Sequence, residues 1–353
     1  MSPACRIADA RITQGQEPVA AAQRGVYAAW SRSPQVANLF RYIGTASRSP
    51  HPLELAGFDL QFTSLASERL LNELDALVAR LGITSDVTTP GSAARAVALN
   101  LLGRKYGTDG LPAPDAAARK EFDDGLEVLR GRLASATNAG NEGETSFWRQ
   151  ELTSVRASAE MTWWIREHGL SERNWAIPNM RDRQSADNLL WLADHQYRGR
   201  KIIVWGATMH VLRHASDIEA TINPKEPRQA YTGLVSMGEH VWRRLGPEVF
   251  TIGFTCYEGK NGIGDPKQND GSFLSEIQKD QDPSIEFEEL MNAAHFDYAL
   301  VDFRSPGVHG EWLRGPIVSR PLANQGMRAV WPNVLDAMFF IRVMEPNLAM
   351  PPR

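Results

Sequence analysis

Histidine is the natural residue to start from, because the chain offers few other ways to begin a hydrolytic reaction. In "GRKIIVWGATMHVLRH" (Gly199 to His214) a short apolar run leads through Gly206 and Ala207 to His210, with His214 four residues later. Two histidines so spaced can share one face of a helix and hold a metal. Here no glutamate stands between them in the H-E-x-x-H sense and no third ligand is evident, so no metal is expected. An imidazole just past a strand can serve as general base on water, or can simply hydrogen-bond the backbone at a turn. Nucleophile motifs are absent. Ser236 lies in "LVSMGEH", a helical pattern rather than a G-x-S-x-G elbow. "NGIGD" (Asn261 to Asp265) has a G-x-G with no following helix to receive a phosphate. Cys5 and Cys256 are the only cysteines, too few and too far apart for a zinc cage or a disulfide framework.

Ligands of open parallel sheets bind beyond the carboxyl ends of the strands, so those ends give the remaining candidates. A strand over Leu53 to Leu60 ends at Asp59, and Lys201 to Trp205 leads to His210. "EVFTIGFTCY" runs out to Cys256, Tyr257 and Glu258, and "FDYALVDF" to Asp302 and Arg304. His210, Asp59 and Arg304 on one rim would suit acid–base hydrolysis. Each also has a plain structural role open to it: the aspartates as caps or turn formers, the arginine as the partner of a nearby carboxylate.

The elements that must position these residues alternate in kind. Ala20 to Arg32 and Pro34 to Ile43 read as short helices, closed by "SRSPHP" (Ser47 to Pro52), where proline cannot continue a helix. Leu70, Leu74, Leu77 and Leu81 lie on one helical face, and Phe122, Leu126, Leu129 and Leu133 repeat the spacing behind Pro112, Pro114 and Asp115. "NAGNEG" turns the chain, and Trp148, Leu152, Val155, Ala159 and Trp163 form the facing stripe of a returning helix, which makes a helical hairpin. "PNMRDRQSADNLLWLADH" opens another helix with Asn179 as its N-cap and Asp182 at the third position. Leu234, Met237, Val241 and Leu245 mark a helix stopped by Gly246, and "AMFFIRVM" is the last strand. The expected fold is α/β, a mostly parallel sheet flanked by helices, with a long helical-hairpin insertion at 63–198. An irregular, helical segment at 1–52 precedes this 53–353 domain.

Composition bounds the partners. The chain has 353 residues, 42% hydrophobic and 23% charged, with a net charge of −4 and no cluster of Lys and Arg. A nucleic-acid surface would need a basic stripe, so none is expected. No stretch approaches a membrane span and no apolar leader opens the sequence, so a cytoplasmic protein with no membrane partner is expected.

Several segments, taken in order, resemble the erythromycin esterase family. "LAGFDLQ" (Leu55 to Gln61) is similar to its G-F-D-x-Q strand, and "MRDRQSADNLLWL" (Met180 to Leu192) to its R-D-x-x-M-A-x-N helix, with Ser185 where Met is usual. "KIIVWGATMHV" resembles the strand that reads I-V-W-A-H-N-x-H, and "SMGEHVWRRLG", "VFTIGFTCYEG", "FDYALVDFR" and "WPNVLDAMFFI" continue in register. The resemblance implies an esterase without metal or other cofactor that opens a macrolide lactone or another small-molecule ester. A histidine would be general base on water, with carboxylates, an arginine and further histidines around it. His210 would contact the ester carbonyl or orient water. Some relatives are labelled as succinoglycan biosynthesis proteins. Two departures stand out: the first histidine of H-N-x-H is Ala207, and the family's G-E-x-x-H-G, which precedes the G-F-D-x-Q strand, does not occur in the sequence. The chain therefore resembles the C-terminal part of the family domain, and an exposed sheet edge and apolar face are expected. A non-catalytic small-molecule-binding protein or a polysaccharide-biosynthesis accessory protein of the same fold stays open beside the esterase.

Overall fold

The computed structural model describes residues 9, 12–60, 70–102, 114–169, 175–220, 228–229, 231–264, 274–277, 287–322 and 325–348. They divide into two compact units, one within 1–201 and one within 202–350.

The first unit is helical. Helices α1 (Pro18–Gly25), α2 (Ala28–Ser31) and α3 (Pro34–Ala46) come first. Then follow α4 (Leu70–Leu81), α5 (Ala93–Leu102), α6 (Ala116–Ser135), α7 (Glu142–His168) and α8 (Ala176–Trp191). The expected hairpin is α6 and α7. Their stripes meet in one core with the leucines of α4, and Phe122 sets its ring edge-on to Trp163 at 6.0 Å. Each fully buried Leu or Phe contributes about 1.5–3 kcal/mol, so these stripes rather than helix propensity hold the bundle. The Asp115 carboxylate accepts the Ala118 N–H at 2.8 Å and starts α6 where the prolines end.

Two expectations need correction here. Helix α8 starts at Ala176, so Asn179 is inside it, with its N–H on Trp175 O at 2.8 Å. Pro178 is tolerated there because N–H groups of a first turn have no intrahelical partner to lose. The segment 53–60 joins no ladder among the described residues, although it is not helical. Its backbone is held by side chains instead. Leu55 N–H donates to Asp9 Oδ1 at 2.8 Å, Asn188 Nδ2 to Phe58 O at 2.8 Å, and Arg200 Nη2 to Pro52 O at 3.0 Å. Gln61 lies outside the described residues.

The second unit carries the sheets, between helices α9 (Thr208–Val211), α10 (Met237–Leu245), α11 (Phe287–Ala293) and α12 (Trp331–Val334). A small antiparallel sheet is ordered β2 (Arg228–Gln229), β1 (Glu219–Ala220), β7 (Gln325–Ala329), β6 (Ile317–Leu322). The larger one is ordered β4 (Leu274–Glu276), β3 (Ile252–Gly264), β8 (Ala337–Met344), β5 (Tyr298–Asp302), and β9 (Asn347–Leu348) also pairs with β3. The α/β class holds, but the sheets are mixed rather than mostly parallel. Strand β8 runs parallel to β3 from Ala337 beside Ile252 to Met344 beside Gly259, whereas β5 and β4 run antiparallel to their neighbours. Lys201 to Trp205, expected as a strand, enters no ladder among the described residues, and Ile203 is almost wholly exposed there. A strand exists only through a neighbour's hydrogen bonds, and periodicity does not report whether that neighbour is present.

Candidate functional site

His210 is half-buried in α9, a helix of a single turn whose first bond is His210 N–H to Ala207 O at 2.9 Å. So short a helix has no cooperative stability of its own and must be held from outside. The clamp is the start of α10. Ser236 caps that helix by accepting the Glu239 N–H at 3.0 Å, and its hydroxyl donates to Leu212 O. Gly238 then lets the two backbones close together: a Cβ on it would lie 1.9 Å from Val211 O and 2.6 Å from Leu212 O. Glu239 completes the clamp, its Oε2 accepting the His214 N–H at 2.8 Å while Oε1 pairs with Arg243 Nε at 2.9 Å.

The turn beyond His210 is equally fixed. His214 adopts a left-handed backbone (φ 51°), uncommon outside glycine, and its ring meets Trp242 edge-on at 5.2 Å. Buried Arg213 donates from Nε to Asn333 O at 3.0 Å and from Nη2 to Pro332 O at 2.9 Å, and it pairs with Asp336 at 3.0 Å. A cleft of about 330 Å³ lies here, lined by Arg213, His214, Asp217, Trp242, Pro332 and Asn333.

Arg304 reaches the same carboxylate. Its Nε donates to Asp336 Oδ1 at 2.9 Å, Nη1 to Pro247 O at 3.0 Å and Nη2 to Val249 O, with the guanidinium over the Phe250 ring at 5.0 Å. All three of its donor nitrogens are thus engaged in tying the loop after β5 to the approaches to β3 and β8. Burial alone would raise the Asp336 carboxyl. Hydrogen bonds from Arg304, Arg213 and the Thr251 N–H outweigh burial and hold it below its usual range. Asp302 accepts the Arg304 N–H at 2.8 Å, the turn-forming role open to it from sequence. Burial, opposed by Arg320 and assisted by Glu288, pushes the Cys256 thiol up to about 11, which disfavours the thiolate.

Asp59 belongs to the helical unit. Arg181 of α8 grips it with two bonds, Nε to Oδ1 at 3.1 Å and Nη2 to Oδ2 at 2.5 Å. Asn188, two turns on, is fully buried and fixes the same segment. Its Oδ1 accepts from Gln150 Nε2 at 2.8 Å, Gln184 Nε2 at 2.9 Å and Ser154 Oγ at 3.1 Å. His210 and Arg304 therefore share the sheet unit, and Asp59 stands in the other. Sequence reasoning missed Ser236, Gly238, Glu239 and Asp336, which hold the His210 turn and the sheet ends. The only signal for them was the S-x-G-E order before an apolar helical stripe, a cap with an acidic third residue.

Among the described residues no group of three or more His, Cys, Asp and Glu is placed to hold a metal ion, and no helix is long and apolar enough to cross a membrane. Residues 2–343 match the family described as erythromycin esterase. A protein of Bacillus subtilis (strain 168) with a provisional hydrolase name, YbfO, is 30% identical over 125 residues, which span 35% of this chain and a quarter of that protein. Among solved structures, a succinoglycan biosynthesis protein aligns with a TM-score of 0.67 at 14% identity, covering 100% of this chain and 79% of its own. A Bacillus cereus protein gives 0.66 at 14% identity, with 99% and 80% covered. An erythromycin esterase mutant in its open conformation gives 0.57 at 16%, with 96% and 80% covered. At these identities the structures speak for a shared fold.

Proposed function

The chain belongs to the erythromycin esterase family, and from that premise we propose that it acts on a carboxylic ester, with a macrolide lactone as the leading substrate. In this chemistry a water oxygen attacks the ester carbonyl while a base takes its proton. The acyl C–O bond then breaks, and the departing alkoxide is protonated, so a lactone gains one water and opens to a hydroxy acid. His210 is the residue assigned to the ester carbonyl or the attacking water, and Asp59 is the carboxylate candidate. Arg304 stays the weakest of the three, since its nitrogens are spent on Asp336 and two carbonyls. The observation that carries the assignment is the clamp on a one-turn helix: Ser236, Gly238 and Glu239 all act on the turn that presents His210. A positioned imidazole is what acid–base catalysis requires, and an activated water needs no serine or thiolate.

Turnover by this chain is expected to be low. Ala207 carries no proton where relatives have a histidine, and no G-E-x-x-H-G supplies a base. The same observation favours a second reading, in which the chain binds an ester without cleaving it. The likeness to a succinoglycan biosynthesis protein supports a polysaccharide-linked ligand in that case. A cytoplasmic location fits two distant cysteines, and no nucleic-acid or membrane partner is invoked. The test is mass spectrometry of erythromycin and simple aryl esters incubated with the chain and with His210→Ala. Product that appears with the chain and disappears with the variant supports hydrolysis at His210. Product formed equally by both removes His210 from the mechanism. Calorimetric binding with no product selects the second reading.

A further inference from the structure

The cleft of about 330 Å³ beyond the His210 turn has three walls, all within the unit at 202–350. One is the turn from His214 to Asp217, closed by Asp217 N–H on His214 O at 2.9 Å. The second is the start of α12, with Pro332 and Asn333, and the third is Trp242 of α10. Arg213 fastens the first wall to the second. Its backbone N–H donates to Val334 O at 3.1 Å, and its guanidinium holds the carbonyls of Pro332 and Asn333. Walls stapled by a buried side chain form a cleft that is already made before a ligand arrives.

The lining groups have bonding capacity that the protein does not use. Among the described residues, the Asn333 amide, the Trp242 indole N–H and His214 Nε2 make no hydrogen bond. Asp217 takes one long bond, from Ser216 Oγ at 3.4 Å. An amide both donates and accepts, a carboxylate offers several acceptor positions and an indole one donor. Donors and acceptors thus line one small space beside an aromatic ring.

Charge narrows the ligand. Arg213 is spent on Asp336 at 3.0 Å and on carbonyls, and His214 stands 3.6 Å from Glu239, so an anion finds no unspent counter-charge. A cation would meet the Trp242 ring with Arg213 already 5.6 Å from its centre. Asp217 is exposed, and a carboxylate screened by water holds a cation weakly. The remaining class is a neutral ligand with an apolar face for the indole and an edge that donates and accepts together. A saturated ring with vicinal hydroxyls has that character, since its C–H face is apolar and each hydroxyl is donor and acceptor at once. The volume lies at the low end for ligand pockets, enough for one such ring.

We propose that this cleft binds a sugar ring, with Trp242 against its C–H face and Asp217, Asn333 and His214 on its hydroxyls. The site does not depend on ester cleavage at His210. It suits a free sugar or the terminal unit of a larger glycoside.

Saturation-transfer NMR on the full chain tests this with glucose, galactose, mannose and the methyl glycoside of each. A ligand this small and polar implies a dissociation constant on the order of 1 mM, so each compound is raised to about 50 mM. Transfer to the ring C–H protons of at least one sugar is expected. Asp217→Ala and Asn333→Ala change exposed side chains, and each should weaken that binding about 10-fold. Trp242→Phe should keep part of the affinity and Trp242→Leu should abolish it. If Trp242→Leu loses its circular dichroism, the two exposed variants decide. Equal binding of a sugar and its methyl glycoside makes the ligand the end of a glycoside, and binding of the reducing sugar alone makes it a monosaccharide. Absence of transfer to every compound overturns the proposal. So does binding unchanged in both exposed variants, or binding of sulfate or tetramethylammonium at the cleft in place of any sugar.

Discussion

Replacing Gly238 by Ala tests whether α10 holds the His210 turn. The added Cβ would sit 1.9 Å from Val211 O, 2.3 Å from Val211 C and 2.6 Å from Leu212 O, all backbone atoms that cannot rotate aside. Carbon–oxygen contacts settle near ~3.3–3.6 Å, so the turn must withdraw by about 1.5 Å. That distance breaks the bond from Ser236 Oγ to Leu212 O and stretches that from His214 N–H to Glu239, now 2.8 Å. Overpacking of this kind costs about 1–3 kcal/mol, and a disrupted cap costs about 1 kcal/mol more. The expected loss is therefore about 2–4 kcal/mol. The control is Gly131→Ala in the C-terminal part of α6, where a Cβ meets nothing within 4 Å. Relief of backbone entropy should make that variant about 0.5–1 kcal/mol more stable. Urea unfolding followed by circular dichroism and tryptophan fluorescence measures both. The two variants should move in opposite directions. A Gly238→Ala protein within 0.5 kcal/mol of the parent, roughly the scatter of a neutral surface change, would refute the clamp.

Two further outcomes follow from buried polar groups. Asn188→Ala leaves Ser154 and Gln184 facing an apolar hole and frees Phe58 O, so a loss of about 2–4 kcal/mol is expected, with faster amide exchange confined to residues 53–60 and their contacts. Unchanged exchange there would mean that Asn188 does not anchor the segment. Asp336→Asn leaves buried Arg213 without its counter-charge and should cost about 3–5 kcal/mol. The wild-type carboxyl is held below its unfolded value, so its contribution is complete above about pH 4 and is lost as pH falls through the folded value. Acid unfolding should therefore be shallower in the variant below about pH 4. Parallel acid limbs would show that Asp336 is not the group titrating.

The helical half was legible residue by residue. Stripes at three- and four-residue spacing placed α4, α6 and α7, because a helix buries whatever falls on one face and that face is written in local spacing. Asp115 and Gly246 marked helix ends for an equally local reason, an oxygen for orphan N–H groups and a left-handed stop (φ 54° at Gly246). Strand composition likewise located β3, β5 and β8. Sequence could not decide which extended segments find a partner. "KIIVW" and "LELAGFDL" have the same apolar character as "TIGFTCY", yet only the last enters a ladder among the described residues. Pairing is a property of two distant segments at once, so one segment's composition cannot contain it. The site divides in the same way. His210, Asp59 and Arg304 could be named from residue type and position at presumed strand ends. Tertiary structure alone decided that Arg304 spends its nitrogens on Asp336 and two carbonyls, and that a glycine 28 positions after His210 lets α10 close on its turn. Chemistry resides in residue type, which sequence states outright, whereas position is fixed by contacts between residues far apart in the chain, and only the folded chain brings those together.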